Sequence, residues 1–184
     1  VVAQSQSSNI AVIEINDDIV MPVTVRFIER AIRQAEQSRA ELIVVYLDTP
    51  GGLLDSTNDI VTTIFAAQLP VVVYVAPAGA RAASAGTFIA AAAHVAVMAP
   101  GTNIGAATPV SHGGEDLENK VSQDTAASIR SIAEERGRNI DALEKTVVYG
   151  VSYTASEALE NNVVDLIAGD LSELLNMLDD WDIQ

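Results

Sequence analysis

The segment from Val71 to Gly86, Val-Val-Val-Tyr-Val-Ala-Pro-Ala-Gly-Ala-Arg-Ala-Ala-Ser-Ala-Gly, constrains the fold more than any other stretch of the chain. Val71 to Val75 are β-branched or aromatic and are bounded by Pro70 and Pro77, which reads as a buried strand. A turn of small residues then delivers Ser84 to the Ala-rich segment Thr87 to Ala93, which reads as a helix. A serine at such a junction has an exposed hydroxyl near the positive end of the helix dipole. Its neighbours Ala83, Ala85 and Gly86 leave room for another chain to approach. Two roles fit this position. The hydroxyl can be a nucleophile, or it can cap the helix, as serines at helix starts often do.

The rest of the composition agrees with a covered parallel sheet. The 184 residues make one domain with a sizeable core, 49% hydrophobic but only 4% aromatic, so Ala, Val and Ile carry the apolar content. A net charge of −15 excludes nucleic acid as a partner, since nothing offsets phosphate repulsion. It also disfavours docking on anionic lipid. Without cysteine there are no disulfides or thiolate metal sites. No stretch reads as a membrane span, because Leu69 to Ala93 is broken by Pro70, Pro77, Gly79, Arg81 and Gly86. The chain opens on a Ser/Gln-rich linker (residues 1–8), and 9–184 is expected to be a domain excised from a longer protein.

In chain order, Ile10 to Ile15 reads as a strand and Pro22 as the first turn of a helix that faces the core with Phe27, Ile28, Ala31, Ile32 and Ala35. Leu42 to Leu47 is a central strand running into Asp48-Thr49-Pro50-Gly51-Gly52 and a helix from about Leu53 to Ala66. Adjacent glycines at the C-terminal end of a strand offer bare backbone N–H groups to an anion, or serve simply as a tight turn. His94 to Met98 is a strand, Asn103 to Gly114 a mobile loop and Glu118 to Arg136 a helix ended by Gly137. Asn139 caps a short helix, and Thr154 to Glu157 forms a capping box for the helix Ser156 to Asn161. Val163 to Ile167 reads as the last strand and Leu171 to Leu178 as the last helix.

Three ordered blocks, Asp48-Thr49-Pro50-Gly51-Gly52, Ala83-Ser84-Ala85-Gly86-Thr87 and Met98 to Ala106, resemble the membrane-bound serine proteases of the NfeD group, within the ClpP/SppA (crotonase-like) superfamily. Gly137-Arg138-Asn139, and Ser156 to Leu159 with Val163-Val164-Asp165, extend the resemblance over nearly the whole chain after Ser8. It implies an α/β fold, the ClpP/crotonase-like spiral of ββα units. It also implies Ser84 as nucleophile and an oxyanion hole from the N–H groups of Ala85 and Gly52, with Gly51 as a further candidate. No metal or cofactor is called for.

A serine hydroxyl needs a base. At the position of the ClpP histidine, about Ala107, this chain has no imidazole. His94 opens an apolar strand and reads as structural, and His112 lies in a polar loop as an outside candidate. The resemblance implies a Ser–Lys dyad, and the only lysines are Lys120 and Lys145. Lys145 follows Asp141 by one turn and reads as a surface ion pair. Lys120 stands where the family places its base, although Asp116 and Asp124 at four-residue spacing offer ion pairs instead, and a base role requires desolvation. The implied substrate is a hydrophobic segment of a stomatin-type membrane protein, cleaved by an extracytoplasmic, membrane-associated domain that self-associates at least as a dimer. Two competing readings are a crotonase-like acyl-CoA enzyme and a non-catalytic scaffold that binds a membrane partner.

Overall fold

A computed structural model describes residues 9–16, 19–110 and 115–179, with the side chains of 115–118 excepted. Five parallel strands form the main sheet in the order β1-β2-β3-β5-β8. These are β1 (Ile10–Asn16), β2 (Leu42–Asp48), β3 (Val71–Val75), β5 (Val95–Met98) and β8 (Leu166–Ile167). A smaller sheet joins β4 (Arg81–Ala83), β6 (Asn103–Gly105) and β7 (Ser152–Thr154), with β4 and β6 parallel and β7 antiparallel to β6. The helices are α1 (Pro22–Gln37), α2 (Leu54–Ala66), α3 (Ala85–Ala92), α4 (Glu115–Glu135), α5 (Ile140–Val148), α6 (Ala155–Glu160) and α7 (Leu171–Leu178).

Side chains of the central strands alternate between two apolar layers, as a strand's period requires. Ile43, Val45, Leu47, Val71, Val73, Val75, Ala96 and Met98 join the larger layer with α1 to α5. Val44, Val72, Tyr74, Val95 and Val97 face the other way and are covered by Leu174 and Leu178 of α7. The wholly apolar run Val71–Val75 thus has both faces in a core, with each residue no more than 1% exposed.

The small sheet carries the site, and its short strands do not stand out in the sequence. Asn103–Gly105, expected within a mobile loop, pairs with Arg81–Ala83 on one side and Ser152–Thr154 on the other. Past it, Ala106 N–H donates to Val151 O, Ala107 N–H to Thr146 O and Thr108 Oγ1 to Val147 O, which anchors the chain as far as Thr108. The last strand is shorter than Val163 to Ile167. The Asp165 carboxylate takes the Ala96 N–H at 2.7 Å, so a side chain replaces the backbone acceptor that would continue the ladder.

On α1 the buried face is Thr24, Val25, Ile28, Ile32 and Ala35, so Phe27, expected inside, is 46% exposed. It joins Ile19, Met21 and Val23 around an open apolar groove of about 640 Å³. Other local expectations hold. Asn139 accepts from Ala142 N–H, and Thr154 and Glu157 form the capping box.

The C-terminal end of α3 is held by two arginines. Arg138, 4% exposed, donates to the carbonyls of Ala91 and Ala93 at 3.0 Å each and pairs with Asp165 at 2.7 Å. Arg136 donates to Ala92 O at 2.7 Å and lies 4.8 Å over the Phe65 ring. Positive charge at a helix C-terminus is favoured by the dipole and satisfies carbonyls that lack helical partners. Replacing Arg138 with Met would leave the Ala91 and Ala93 carbonyls without this donor and the largely buried Asp165 carboxylate without its counter-charge. We expect a loss of about 3–5 kcal/mol in urea unfolding; a loss below about 1 kcal/mol would show that the clamp is dispensable.

Candidate active site

Ser84 lies between β4 and α3 with φ 51° and ψ −112°, a conformation that L-residues rarely adopt and that must be held by its surroundings. Its N–H donates to Gly105 O at 3.0 Å, and its carbonyl accepts from Thr87 N–H at 3.0 Å. Thr87 Oγ1, fully buried, bonds to Ala82 O and Gly105 O at 3.0 Å each, tying the first turn of α3 to β4 and β6. The Ser84 side chain makes no capping hydrogen bond, so the simple N-cap role is not realised. Its hydroxyl instead lines a cavity of about 260 Å³.

The glycine loop forms one wall of that cavity. Gly51 N–H donates to Thr49 Oγ1 at 3.1 Å, and Leu53 N–H donates to Val20 O at 2.9 Å. The Gly52 N–H between them has no protein partner among the described residues, and neither has that of Ala85, the first residue of α3. Both residues line the cavity beside Ser84, and each lies at a helix N-terminus, where anions are favoured. Gly51, named with them from the sequence, has its amide engaged by Thr49 and packs against Ser84 instead. A Cβ on Gly51 would stand 2.9 Å from Ser84 Cβ and 3.3 Å from Oγ, and its φ is +134°. A Cβ on Gly52 would meet Val20 O at 2.3 Å.

Leu53, Leu54, Phe88, Pro109, Val110 and Val121 give the cavity an apolar lining. Ala107 also lines it, 2% exposed, where the resemblance puts the ClpP histidine. His94 is structural: its Nδ1 accepts from Val71 N–H at 3.1 Å. Burial first, and the Arg136 charge second, push its pKa down to about 4. His112 and the side chain of Asp116 lie outside the described residues.

Lys120 is on α4 immediately before Val121, which lines the cavity together with Thr125 one turn later. It is exposed and makes no ion pair with Asp124. The desolvation expected of a base is therefore not present in this structure. Lys145 is exposed on α5, and the expected pair with Asp141 does not form. Among the described residues no group of acidic or histidine side chains could hold a metal ion.

A family model for the NfeD1b N-terminal domain matches residues 9–183. The chain belongs to that family. It is 44% identical, over 80% of its length, to the membrane-bound protease PH1510 of Pyrococcus horikoshii, and 29% identical, over 96%, to the membrane protein NfeD1b of Bacillus subtilis. It spans 34% and 42% of those proteins, so roughly a third or more of each.

The fold of this NfeD1b domain matches a serine-to-alanine mutant of the 1510-N membrane-bound stomatin-specific protease (TM-score 0.88, 39% identity, 93% of this chain and 84% of that one). A lysine-to-alanine mutant of the same protease, in complex with a substrate peptide, matches with a TM-score of 0.87 at 39% identity over 93% of this chain and 80% of that one. ClpP1 from Listeria monocytogenes matches at 18% identity over 91% and 95% of the two chains with a TM-score of 0.68, so the fold is ClpP-like, as the sequence implied.

Gly51 permits the close contact between its loop and Ser84, so Gly51→Ala should push Ser84 away from Gly52. Misplacement by about 1 Å can cost on the order of 10²-fold in rate. We expect kcat for peptide cleavage to fall by about that factor with an unchanged circular dichroism spectrum; wild-type turnover would refute the contact's importance.

Proposed function

We propose that this domain is a serine endopeptidase cleaving apolar segments, with Ser84 as nucleophile, Lys120 as general base and the N–H groups of Gly52 and Ala85 as oxyanion hole. One observation carries the reading. A serine on strained backbone, whose hydroxyl caps nothing, opens on the same cavity as two N–H groups, at two helix N-termini, that have no partner among the described residues.

In the reaction, neutral Lys120 Nζ takes the Ser84 proton as Oγ attacks the peptide carbonyl. Charge developing on the carbonyl oxygen is held by Gly52 and Ala85, each such donor contributing about 3–4 kcal/mol in the transition state. The ammonium returns the proton to the leaving amine, and water then hydrolyses the acyl-enzyme with Lys120 again as base. Lys120 is exposed, so its desolvation has to come from the substrate covering the cavity mouth. Placement next to Val121 supports the assignment, as does the choice of a serine and a lysine for replacement in the 1510-N structures.

The apolar lining fits a hydrophobic substrate. With a stomatin-specific protease among the relatives, a stomatin-type membrane protein is the proposed partner. An acyl-CoA enzyme is disfavoured because no described carboxylate lines the cavity. No described helix is long and apolar enough to cross a membrane, while the curated relatives are membrane proteins. The domain is proposed to be part of a longer membrane-bound chain and, as the family resemblance implies, to work outside the cytoplasm.

Cleavage of an apolar stomatin-type C-terminal peptide tests the chemistry. Ser84→Ala and Lys120→Ala should each lose about 10³-fold or more, and His112→Ala should keep wild-type activity. Wild-type activity should rise with pH, since only the deprotonated amine is a base. Lys120→Arg should not restore activity, because guanidinium stays protonated. Cleavage surviving in Ser84→Ala would remove the nucleophile assignment.

Self-association is proposed on the exposed apolar group Ile19, Met21, Val23 and Phe27. Light scattering should give a dimer or larger for the wild type and a smaller species for Phe27→Glu. A monomeric wild type would contradict it.

A further inference from the structure

Thr49 is fully buried between the glycine loop and the nucleophile. Its N–H donates to Arg81 O at 2.8 Å and its carbonyl accepts from Ala83 N–H at 3.1 Å, which joins it to the strand that ends at Ser84. Its methyl group lies 2.7 Å from where a Cβ on Gly86 would stand, so it touches the first turn of α3. The hydroxyl faces the loop, accepting from Gly51 N–H and donating to Gly51 O, both at 3.1 Å.

The bond to Gly51 O matters for a neighbouring atom. Gly51 C=O and Gly52 N–H belong to one rigid trans peptide and point to opposite sides of it. Two donors hold that carbonyl, Thr49 Oγ1 at 3.1 Å and Val20 N–H at 2.9 Å. Holding the carbonyl fixes the direction of the Gly52 N–H. Such a plane otherwise turns easily, because glycine on both sides removes the steric barrier that side chains supply. A freely turning plane would present its carbonyl to the cavity as often as its N–H, repelling the charge it should hold.

We propose that Thr49 is a positioning residue for the reaction: its hydroxyl locks the Gly51–Gly52 peptide with the N–H turned to the Ser84 cavity. It rests on the serine-protease reading of this site and adds a residue that touches neither substrate nor reacting atoms. Its hydroxyl and methyl divide the work, the first setting the oxyanion donor and the second packing the nucleophile's helix.

Two variants separate these parts. Thr49→Val keeps the shape and removes the hydroxyl; Thr49→Ser keeps the hydroxyl and removes the methyl. With a chromogenic apolar peptide, Thr49→Val should lower kcat about 10- to 100-fold, up to the loss of a whole oxyanion donor, with KM within about twofold. Thr49→Ser should stay within about threefold of wild type. A purely structural threonine would instead give parallel losses in both variants, tracking their melting temperatures. Turnover of Thr49→Val within twofold of wild type, a change confined to KM, or equal damage in Thr49→Ser would each overturn the proposal.

A crystal structure of Thr49→Val reads the peptide plane without reference to turnover. A turned or doubly oriented Gly51–Gly52 peptide supports the lock, and an unchanged one overturns it. Ser84→Ala in the same assay tests the protease reading separately, because activity retained there would refute the nucleophile and leave the peptide-plane result standing on its own.

Discussion

The structure depends on helix α3 being fixed at both ends. At its C-terminus, Arg138 and Arg136 occupy the carbonyls of Ala91, Ala92 and Ala93, and Arg138 is itself anchored by Asp165. At its N-terminus, Thr87 binds β4 and β6 at once, and Ser84 is bonded through its backbone alone. The helix interior is Ala-rich and wholly buried, so it can lie close against its neighbours. A buried guanidinium is costly to desolvate and is tolerated here because each of its three nitrogens has an acceptor, one of them a carboxylate. The outcome is a short, rigid rod with a strained serine at its positive end.

Around that serine several backbone donors are engaged. Gly51, Leu53, Ser84, Ala106 and Ala107 each donate to a protein acceptor, while Gly52 and Ala85 have none among the described residues. Selectivity of this kind needs close packing of two chain segments, and the glycines supply it: a side chain on Gly52 would enter Val20, and one on Gly51 would enter Ser84. Donors that are fixed before substrate arrives need no reorganisation when charge develops, and in an apolar cavity their effect is larger than in water.

Much of this was legible in the sequence. The all-apolar runs Leu42–Leu47 and Val71–Val75 announced strands with no polar face, and Leu171–Leu178 was read to the residue. The strand-to-helix junction at Ser84 was legible because small residues and glycine flank it after the apolar run Val71–Val75. The second sheet was not: Arg81-Ala82-Ala83 has little strand propensity, and its pairing with Asn103–Gly105 and then Ser152–Thr154 is set by distant partners. Phe27 fell outside the core because the buried stripe of α1 runs along Val25, Ile28, Ile32 and Ala35, and Phe27 stands to one side of it. The choice between Gly51 and Gly52 turned on one hydroxyl, Thr49, whose direction no spacing rule encodes. Exposure of Lys120 is likewise a tertiary property, since a lysine's surroundings come from chain segments remote in sequence.

If Ser84 is a nucleophile poised by its backbone, a fluorophosphonate probe should mimic its acylation step and phosphonylate it. Intact-mass and peptide-mapping spectrometry of the labelled protein should find one adduct per chain, on Ser84, formed more slowly in Lys120→Ala and absent in Ser84→Ala. A folded wild-type protein that takes up no label, or that carries it on another residue, would contradict the account.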